Sequence, residues 1–408
     1  MKYTNLKKTY YKNQSDPNIW LDEYTKRFNS ISTKHLDFQI KEYGYKNSNP
    51  AFYCYTEEIT TLINEILAHS IDLIKFISSI PQIAILKFLN LSLISEVKSS
   101  NEIEGIKSTR REINEVLSQV TPKEYMRLWG IVNKYKKIVE LEHINLGTCE
   151  DIRALYDDFL LKEIKRDNPK NAPDGKLFRL DSVDVVTSSQ KTIHRGEYPE
   201  DKIIESLNEA LLLLENKQIP LLIRISIFHY LFGYIHPFYD GNGRMARFIT
   251  SYFLAKEIHP IVALHLSYLI KRNRSIYYKL FEDTTSDLNK GDLTPFITGS
   301  LELILNSILS VRKILTKRLT TFRKYQKLLD KLSSKDKLTV RVYNILLQAA
   351  VFSDFGATLE EIASPLNKST KTIKSRIDEI PLHEITVDKT SKPYHYKINL
   401  SYLNNITK

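Results

Sequence analysis

The chain has 408 residues, a net charge of +11, twelve glycines and fourteen prolines. So few breakers exclude collagen-like, low-complexity and disordered classes and predict a mainly α protein of two or three domains. Two cysteines, Cys54 and Cys149, exclude a disulfide framework and favour a reducing compartment.

The N-terminus, MKYTNLKKTYYKNQSDPN, has no apolar core and does not read as a signal peptide. The most apolar stretch, 219–235, is broken by Pro220, Arg224 and His229. It reads as a buried helix, and the expected location is cytoplasmic. Residues 1–50 are polar and aromatic, with weak periodicity, and are expected to form loops and short helices. From 56 to 80, Ile59, Leu62, Ile63, Ile66, Leu67, Ile71 and Ile74 recur at helical spacing, and Pro81 ends the run. A second long helix spans about 82–104 and stops at Gly105, a residue suited to the left-handed position after a helix. Helices are expected next at 110–120, 122–142 and 151–165.

Between 167 and 199 the pattern changes. NPKNAPDGK is a loop by composition. Val183, Val185 and Val186, a polar turn over 187–191, and Thr192-Ile193-His194 read as a β-hairpin. Helices resume at Pro199 and run to about Lys331. Residues 311–337 carry ten Lys or Arg against Asp330 and Asp336, most of the chain's net charge. The tail reads as helices over 339–350, 358–366 and 369–380, then a hairpin over 384–387 and 394–398. That is the order of a winged helix-turn-helix. The expected organisation is an N-terminal helical region (1–120), a helical core (121–310), a basic helix and linker (311–337) and a winged helix (338–408).

One segment stands apart: His236-Pro237-Phe238-Tyr239-Asp240-Gly241-Asn242-Gly243-Arg244-Met245-Ala246-Arg247. It is a loop feeding the N-terminus of an apolar helix. Two glycines let backbone N–H groups curl round an anion, and the helix dipole adds positive potential there. Arg244 and Arg247, three apart, share a helix face and suit two phosphate groups. Asp240 is a hard oxygen ligand suited to Mg²⁺ held together with phosphates. His236 suits a general base.

This segment resembles the Fic motif of the Fic/Doc superfamily and matches HPFx(D/E)GNGRxxR at every defining position. The resemblance implies a helical fold that moves AMP from ATP to a Ser, Thr or Tyr hydroxyl of a target protein. It implies that His236 deprotonates the hydroxyl and that Asp240 holds Mg²⁺. It places phosphates along Gly241, Asn242, Gly243, Arg244, Met245, Ala246 and Arg247. Gly241 favours adenylyl over phosphoryl transfer. The hairpin within 178–197 resembles the family's flap, whose edge at Thr192, Ile193 and His194 would register an extended target segment. Tyr277 resembles a position that lies against adenine, with ordinary helix packing as the other reading.

Ser100-Asn101-Glu102-Ile103-Glu104-Gly105 closes the second long helix. Glu104 there faces the negative end of the dipole and needs a cation. Ser100 lies one turn earlier on the same face. This resembles the family's inhibitory motif, (S/T)xxxE(G/N), which implies an ion pair between Glu104 and Arg247 that denies Arg247 to the γ-phosphate. A homodimer is expected. Two alternatives stand: a DNA-binding regulator using Lys371, Lys374, Arg376, Lys389 and Lys392, and an AMP-removing enzyme using Glu104 to position water.

Overall fold

The computed structural model describes residues 3–119, 126–186, 192–332, 336–390 and 392–406. It is mainly helical, as the scarcity of glycine and proline predicts. The first 50 residues hold more order than expected. Helices α1 (Leu6–Lys12) and α2 (Pro17–Phe28) precede an antiparallel hairpin of β1 (Thr33–Ile40) and β2 (Asn49–Cys54). The alternation of β1 is blurred by a register shift between His35 and Gln39. Phe52 of β2 bonds across to Gly291 and Leu293, so distant residues bury this hairpin, and a local pattern does not reveal it.

Helices α3 (Glu57–Ile77) and α4 (Gln82–Ile103) follow, joined across Pro81. Gly105 takes φ +76°. The N–H of Ile106 reaches Asn101 O, and that of Gly105 reaches Glu102 O, so α4 ends in a Schellman motif with Glu104 as its C-cap. Helix α5 (Arg110–Leu117) opens with a capping box of Thr109 and Glu112. Of the helix expected over 122–142, residues 122–125 lie outside the described residues, and α6 spans Trp129–Val139. Left-handed Leu128 precedes it and donates its N–H to Glu163 Oε1 at 2.6 Å. Helices α7 (Cys149–Tyr156) and α8 (Lys162–Asp167) are continuous through a π turn at Asp157–Leu161.

Strands β3 (Asp184–Val186) and β4 (Thr192–Arg195) pair antiparallel; the expected turn at 187–191 lies outside the described residues. Helices α9 (Glu200–Glu215), α10 (Leu221–Ile235) and α11 (Asn242–Glu257) follow, and α10 is buried on nearly every side. That explains an apolar run with no polar face. Short α12 (Pro260–Ala263), α13 (Leu266–Arg272) and α14 (Arg274–Thr285) lead to α15 (Thr294–Leu332). Helix α15 is long and apolar enough in composition to cross a membrane. Its apolar residues, however, form one stripe (Ile297, Leu301, Ile304, Ile308, Val311, Leu315) that is buried inside the protein. Part of its basic segment also packs, with Arg312 lying over the Phe76 ring.

The C-terminal part holds α16 (Lys337–Phe352), α17 (Leu359–Ala363), α18 (Thr370–Asp378), the antiparallel pair β5 (Ile385–Asp388) and β6 (His395–Ile398), and α19 (Leu400–Ile406). It grips α4. Lys87 pairs with Glu361 at 2.6 Å. Pro81 offers α4 no side-chain cap, and Gln348 Oε1 instead accepts the N–H of Ala84 at 3.1 Å. Both groups are buried. Gln348→Ala is expected to lower stability by about 1–2 kcal/mol, because it orphans a buried N–H. The check is the denaturant midpoint at constant m-value; a change below about 0.3 kcal/mol would remove Gln348 as the cap.

Candidate active site

The loop between α10 and α11 is held from three sides. His236 terminates α10 in the left-handed region, at φ 53°. Phe238 is fully buried and stacks on Tyr156 with ring centroids 3.7 Å apart. The Tyr156 hydroxyl donates to Asp240 O at 3.2 Å. The side chain of Asn242 clips the loop closed: its Oδ1 accepts from Phe238 N (3.0 Å) and its Nδ2 donates to Phe238 O (2.7 Å). Asn242 therefore shapes the loop, and its side chain does not point at a phosphate. Met245 and Ala246 face the core, and the Met245 N–H is already given to Gly241 O at 2.9 Å, so the free main-chain donors are those of the turn before them, Asn242 to Arg244. Gly241 sits at φ +89°, and a Cβ there would press on Leu160 at 2.7 Å.

His236 is half-buried, and Nδ1 faces Gly233 O at 3.3 Å. An N–H at Nδ1 leaves Nε2 as the acceptor. Burial lowers the imidazole pKa to about 4, helped by nearby His194 and Arg179 and opposed by the Gly233 carbonyl and Glu104. The ring is neutral at pH 7 and free to take a proton. His194 of β4 bonds Tyr234 O through Nε2 at 2.5 Å, and Thr192 and Ile193 are half-buried beside it. The hairpin thus lies against the histidine loop.

Arg244 and Arg247 are both buried. Arg244 touches Asp240 at 3.4 Å, and its Nε has no hydrogen-bond partner among the described residues. A buried, partly unpartnered guanidinium at a helix N-terminus is a site for an anion. Arg247 is fully occupied. Its Nε donates to Ser100 Oγ and its Nη2 to Ser100 O, both at 3.0 Å, and Nη2 pairs with Glu104 Oε1 at 2.7 Å. A Cβ on Gly243 would clash with Glu104 Oε1. The carboxylate therefore lies directly on the first turn of α11. Burial raises the Glu104 pKa, but Arg247 more than offsets that and holds it below the ordinary value.

Tyr277 is buried, and its hydroxyl meets His229 Nε2 at 2.7 Å. Its ring packs on Phe281. Ring and hydroxyl are both engaged in the core, as the helix-packing reading expects, and Tyr277 also lies close enough to Arg247 and Glu104 to feel their charge. Three residues that sequence reasoning passed over support the site. Arg179 bonds the His236 carbonyl at 2.9 Å. Glu163 lies close enough to Arg244 to feel its charge. Glu96, two turns before Glu104, accepts from Ser267 N at 2.9 Å and is pushed up to about 7 by burial. An ionisable residue in an apolar helix run was the only available signal for Glu96.

Among the described residues, no cluster of three or more His, Cys, Asp and Glu could hold a metal. Asp240 is the loop's single carboxylate, and 42 % of its side chain is exposed. One carboxylate at an anion site fits a Mg²⁺ ion that arrives with nucleotide phosphates, because Mg²⁺ keeps most of its shell for phosphate and water.

Residues 147–254 match the Fic/DOC family model. The segment contains the hairpin, His236 and both loop arginines. The chain is 33% identical over 159 residues to the protein adenylyltransferase Fic of Nematostella vectensis, covering 38% of this chain and 34% of that protein. It is 36% identical over 69 residues to that of Drosophila melanogaster, covering 17% of this chain and 12% of that protein. The matches thus span about a third or less of these curated relatives. A Fic family protein from Desulfovibrio desulfuricans shares the fold, with a TM-score of 0.52 at 19% identity, over 85% of this chain and 97% of that one.

The ion pair generates a pH dependence. The folded-state pKa of Glu104 lies below the ordinary 4.5. The pair's stabilisation is therefore fully present above that value and is lost as pH falls through the lower, folded-state pKa. Glu104→Gln is expected to be less stable than wild type by about 2–3 kcal/mol at pH 7, the low end for a buried pair because part of Glu104 meets solvent. That gap should close below pH 4.5. Unfolding curves of both proteins from pH 7 to 3 check this; a gap independent of pH would show that the carboxylate charge is not what matters.

Proposed function

We propose that this protein is an autoinhibited protein adenylyltransferase, which transfers AMP from ATP to a hydroxyl of a target protein or of itself. The observation that carries the reading is a neutral, half-buried His236 beside an anion cradle on α11 that already holds a carboxylate. The identity of the curated relatives supports the reaction class.

In this reading the target hydroxyl donates its proton to His236 Nε2 as its oxygen attacks the α-phosphorus. The bond from the α-phosphorus to the bridging oxygen breaks, and pyrophosphate leaves. Main-chain N–H groups of Gly241, Asn242, Gly243 and Arg244 and the guanidinium of Arg244 hold the phosphates. Asp240 would hold Mg²⁺, which neutralises phosphate charge when bound. The edge of β3–β4 would receive the target backbone by strand addition. Glu104 occupies Arg247 and so keeps the γ-phosphate out.

Further proposals concern context. We place the protein in the cytoplasm as a homodimer, with ATP and a target protein as partners. We read 338–408 as a winged helix by the order of its elements. DNA binding through α18 is the weaker reading: Lys374 pairs with Asp378, and Arg376 pairs with Glu379 and Asp336. Those two charges are already compensated, which leaves Lys371 on the helix and Lys389 and Lys392 on the hairpin for phosphates. Removal of AMP by water positioned on Glu104 is the other alternative: water attacks the phosphorus, the bond to the target oxygen breaks, and AMP and the free hydroxyl leave.

Two sets of rates test the proposal. Glu104→Gly should raise initial AMP transfer by about 30- to 150-fold, the population shift that corresponds to a pair of about 2–3 kcal/mol. Arg247→Ala should not mimic it, because it opens the lock and removes the γ-phosphate clamp together. Equal rates for wild type and Glu104→Gly at matched ATP and Mg²⁺ would sink the inhibitory role. In the Glu104→Gly background, His236→Ala should lower transfer by about 10²–10⁴-fold while ATP affinity stays near that of its parent. Retention of most activity would remove His236 from the chemistry.

A further inference from the structure

Arg179 lies just before the hairpin and has no accessible surface. Among the described residues it pairs with no carboxylate. Its partners are main-chain carbonyls: Nε donates to His236 O (2.9 Å), Nη1 to Asp181 O (2.6 Å), and Nη2 to Glu197 O (2.8 Å) and Ile235 O (3.5 Å). Its own N–H reaches Pro237 O at 3.4 Å. One planar fork therefore joins both flanks of the β3–β4 hairpin to the end of α10. Gly196 makes room for it, since a Cβ there would lie 2.5 Å from Nη2 and 2.9 Å from His236 Cβ.

Burying a guanidinium with no carboxylate in contact is expensive, and Tyr239 and Glu197 compensate this one only from a distance. An uncharged side chain could tie two loops more cheaply. What the charge adds is at the histidine. Carbonyl partners satisfy the N–H groups without cancelling the charge, so the imidazole feels a cation behind it. A carboxylate partner would put a negative charge there instead, and a negative charge favours imidazolium. The groups whose charge reaches His236 are Arg179 and His194, which disfavour protonation, and Glu104 from α4, which favours it. The fork also binds the carbonyl of a left-handed non-glycine residue, a backbone state that needs outside support.

We propose that Arg179 is a positioning residue for His236: it holds the histidine's carbonyl and both flanks of the hairpin in one fork, fixing the base in register with the strand edge that receives the target. This rests on the AMP-transfer reading above.

The test uses the full chain in two arms. In the Glu104→Gly background, Arg179→Gln should lower kcat for AMP transfer by about 10- to 100-fold, the effect of a slightly misplaced base. The KM for ATP should stay within about threefold, because the cradle on α11 is untouched. Arg179→Lys should restore kcat only in part, since one ammonium cannot span the four carbonyls. In the wild-type background, NMR titration of the histidine rings, with His236 assigned by its loss in His236→Ala, needs no activity. Arg179→Gln should move the His236 midpoint up from about 4 toward the ordinary 6.5, and Arg179→Lys should leave it low. A kcat within twofold of the parent, or an unmoved His236 midpoint in folded Arg179→Gln, overturns the proposal. If Arg179→Gln does not fold, Gly196→Ala decides: it displaces the fork but keeps the charge, and an unchanged kcat would refute the positioning role. Absence of transfer in Glu104→Gly with a shifted His236 midpoint would fault the AMP-transfer reading and leave the fork's action on the histidine standing.

Discussion

A buried arginine whose guanidinium reaches back to the first turn of a helix must find an anion, and most of the local architecture follows from how Arg247 does so. It cannot lose its proton, and it lies where helix dipole and loop glycines already raise the potential. Helix α4 meets that need with two groups one turn apart, the Ser100 hydroxyl and the Glu104 carboxylate. Glu104 at a helix C-terminus is unfavourable by itself. Each charge is tolerable only because the other is present. Gly243 has no side chain, which lets the carboxylate settle on α11. A carboxylate and a phosphate cannot share that spot, and this exclusion is the physical content of the proposed autoinhibition.

The position of Glu104 is set by more than the ion pair. Helix α4 is fastened along its length. Gln348 and Glu361 hold its N-terminal half. Glu96 accepts from Ser267 near its middle, and Glu102 pairs with Lys271 near its end. A helix of 22 residues held at several points moves as a rod, so contacts far from the cradle help to decide where the carboxylate sits. The same packing explains why α4 has a weak polar face: neighbours surround it and leave little of it to solvent.

The histidine is prepared by burial and by shape. The left-handed turn at His236 ends α10 and leaves Nδ1 facing Gly233 O of that helix, and the Asn242 clip and Tyr156 stack keep the loop from relaxing. Burial removes the solvent that would stabilise imidazolium, so the ring stays a base at neutral pH. The chemistry asked of the site is thus provided by main-chain geometry and low polarity as much as by the motif's side chains.

Where a feature is local, the sequence was enough. The loop from His236 to Arg247, the end of α4 at Gly105 and the β3–β4 hairpin all follow from short-range spacing, because backbone strain and helix periodicity act over a few residues. The pairing of Glu104 with Arg247 was legible only through its resemblance to a known motif. Features that depend on distant partners were not legible. The β1–β2 hairpin is buried by residues 291–293, so its alternation is incomplete. Tyr277 could face a ligand or the core, and its contacts with His229 and Phe281 come from tertiary packing that no local spacing encodes. Arg179 looks like any arginine before a strand; its burial against four carbonyls arises where the hairpin meets α10, and no spacing within the chain encodes that meeting. The sequence by itself determined the helical class and the chemistry of one loop. Tertiary structure decided which charges meet, because burial and pairing are properties of residues far apart in the chain.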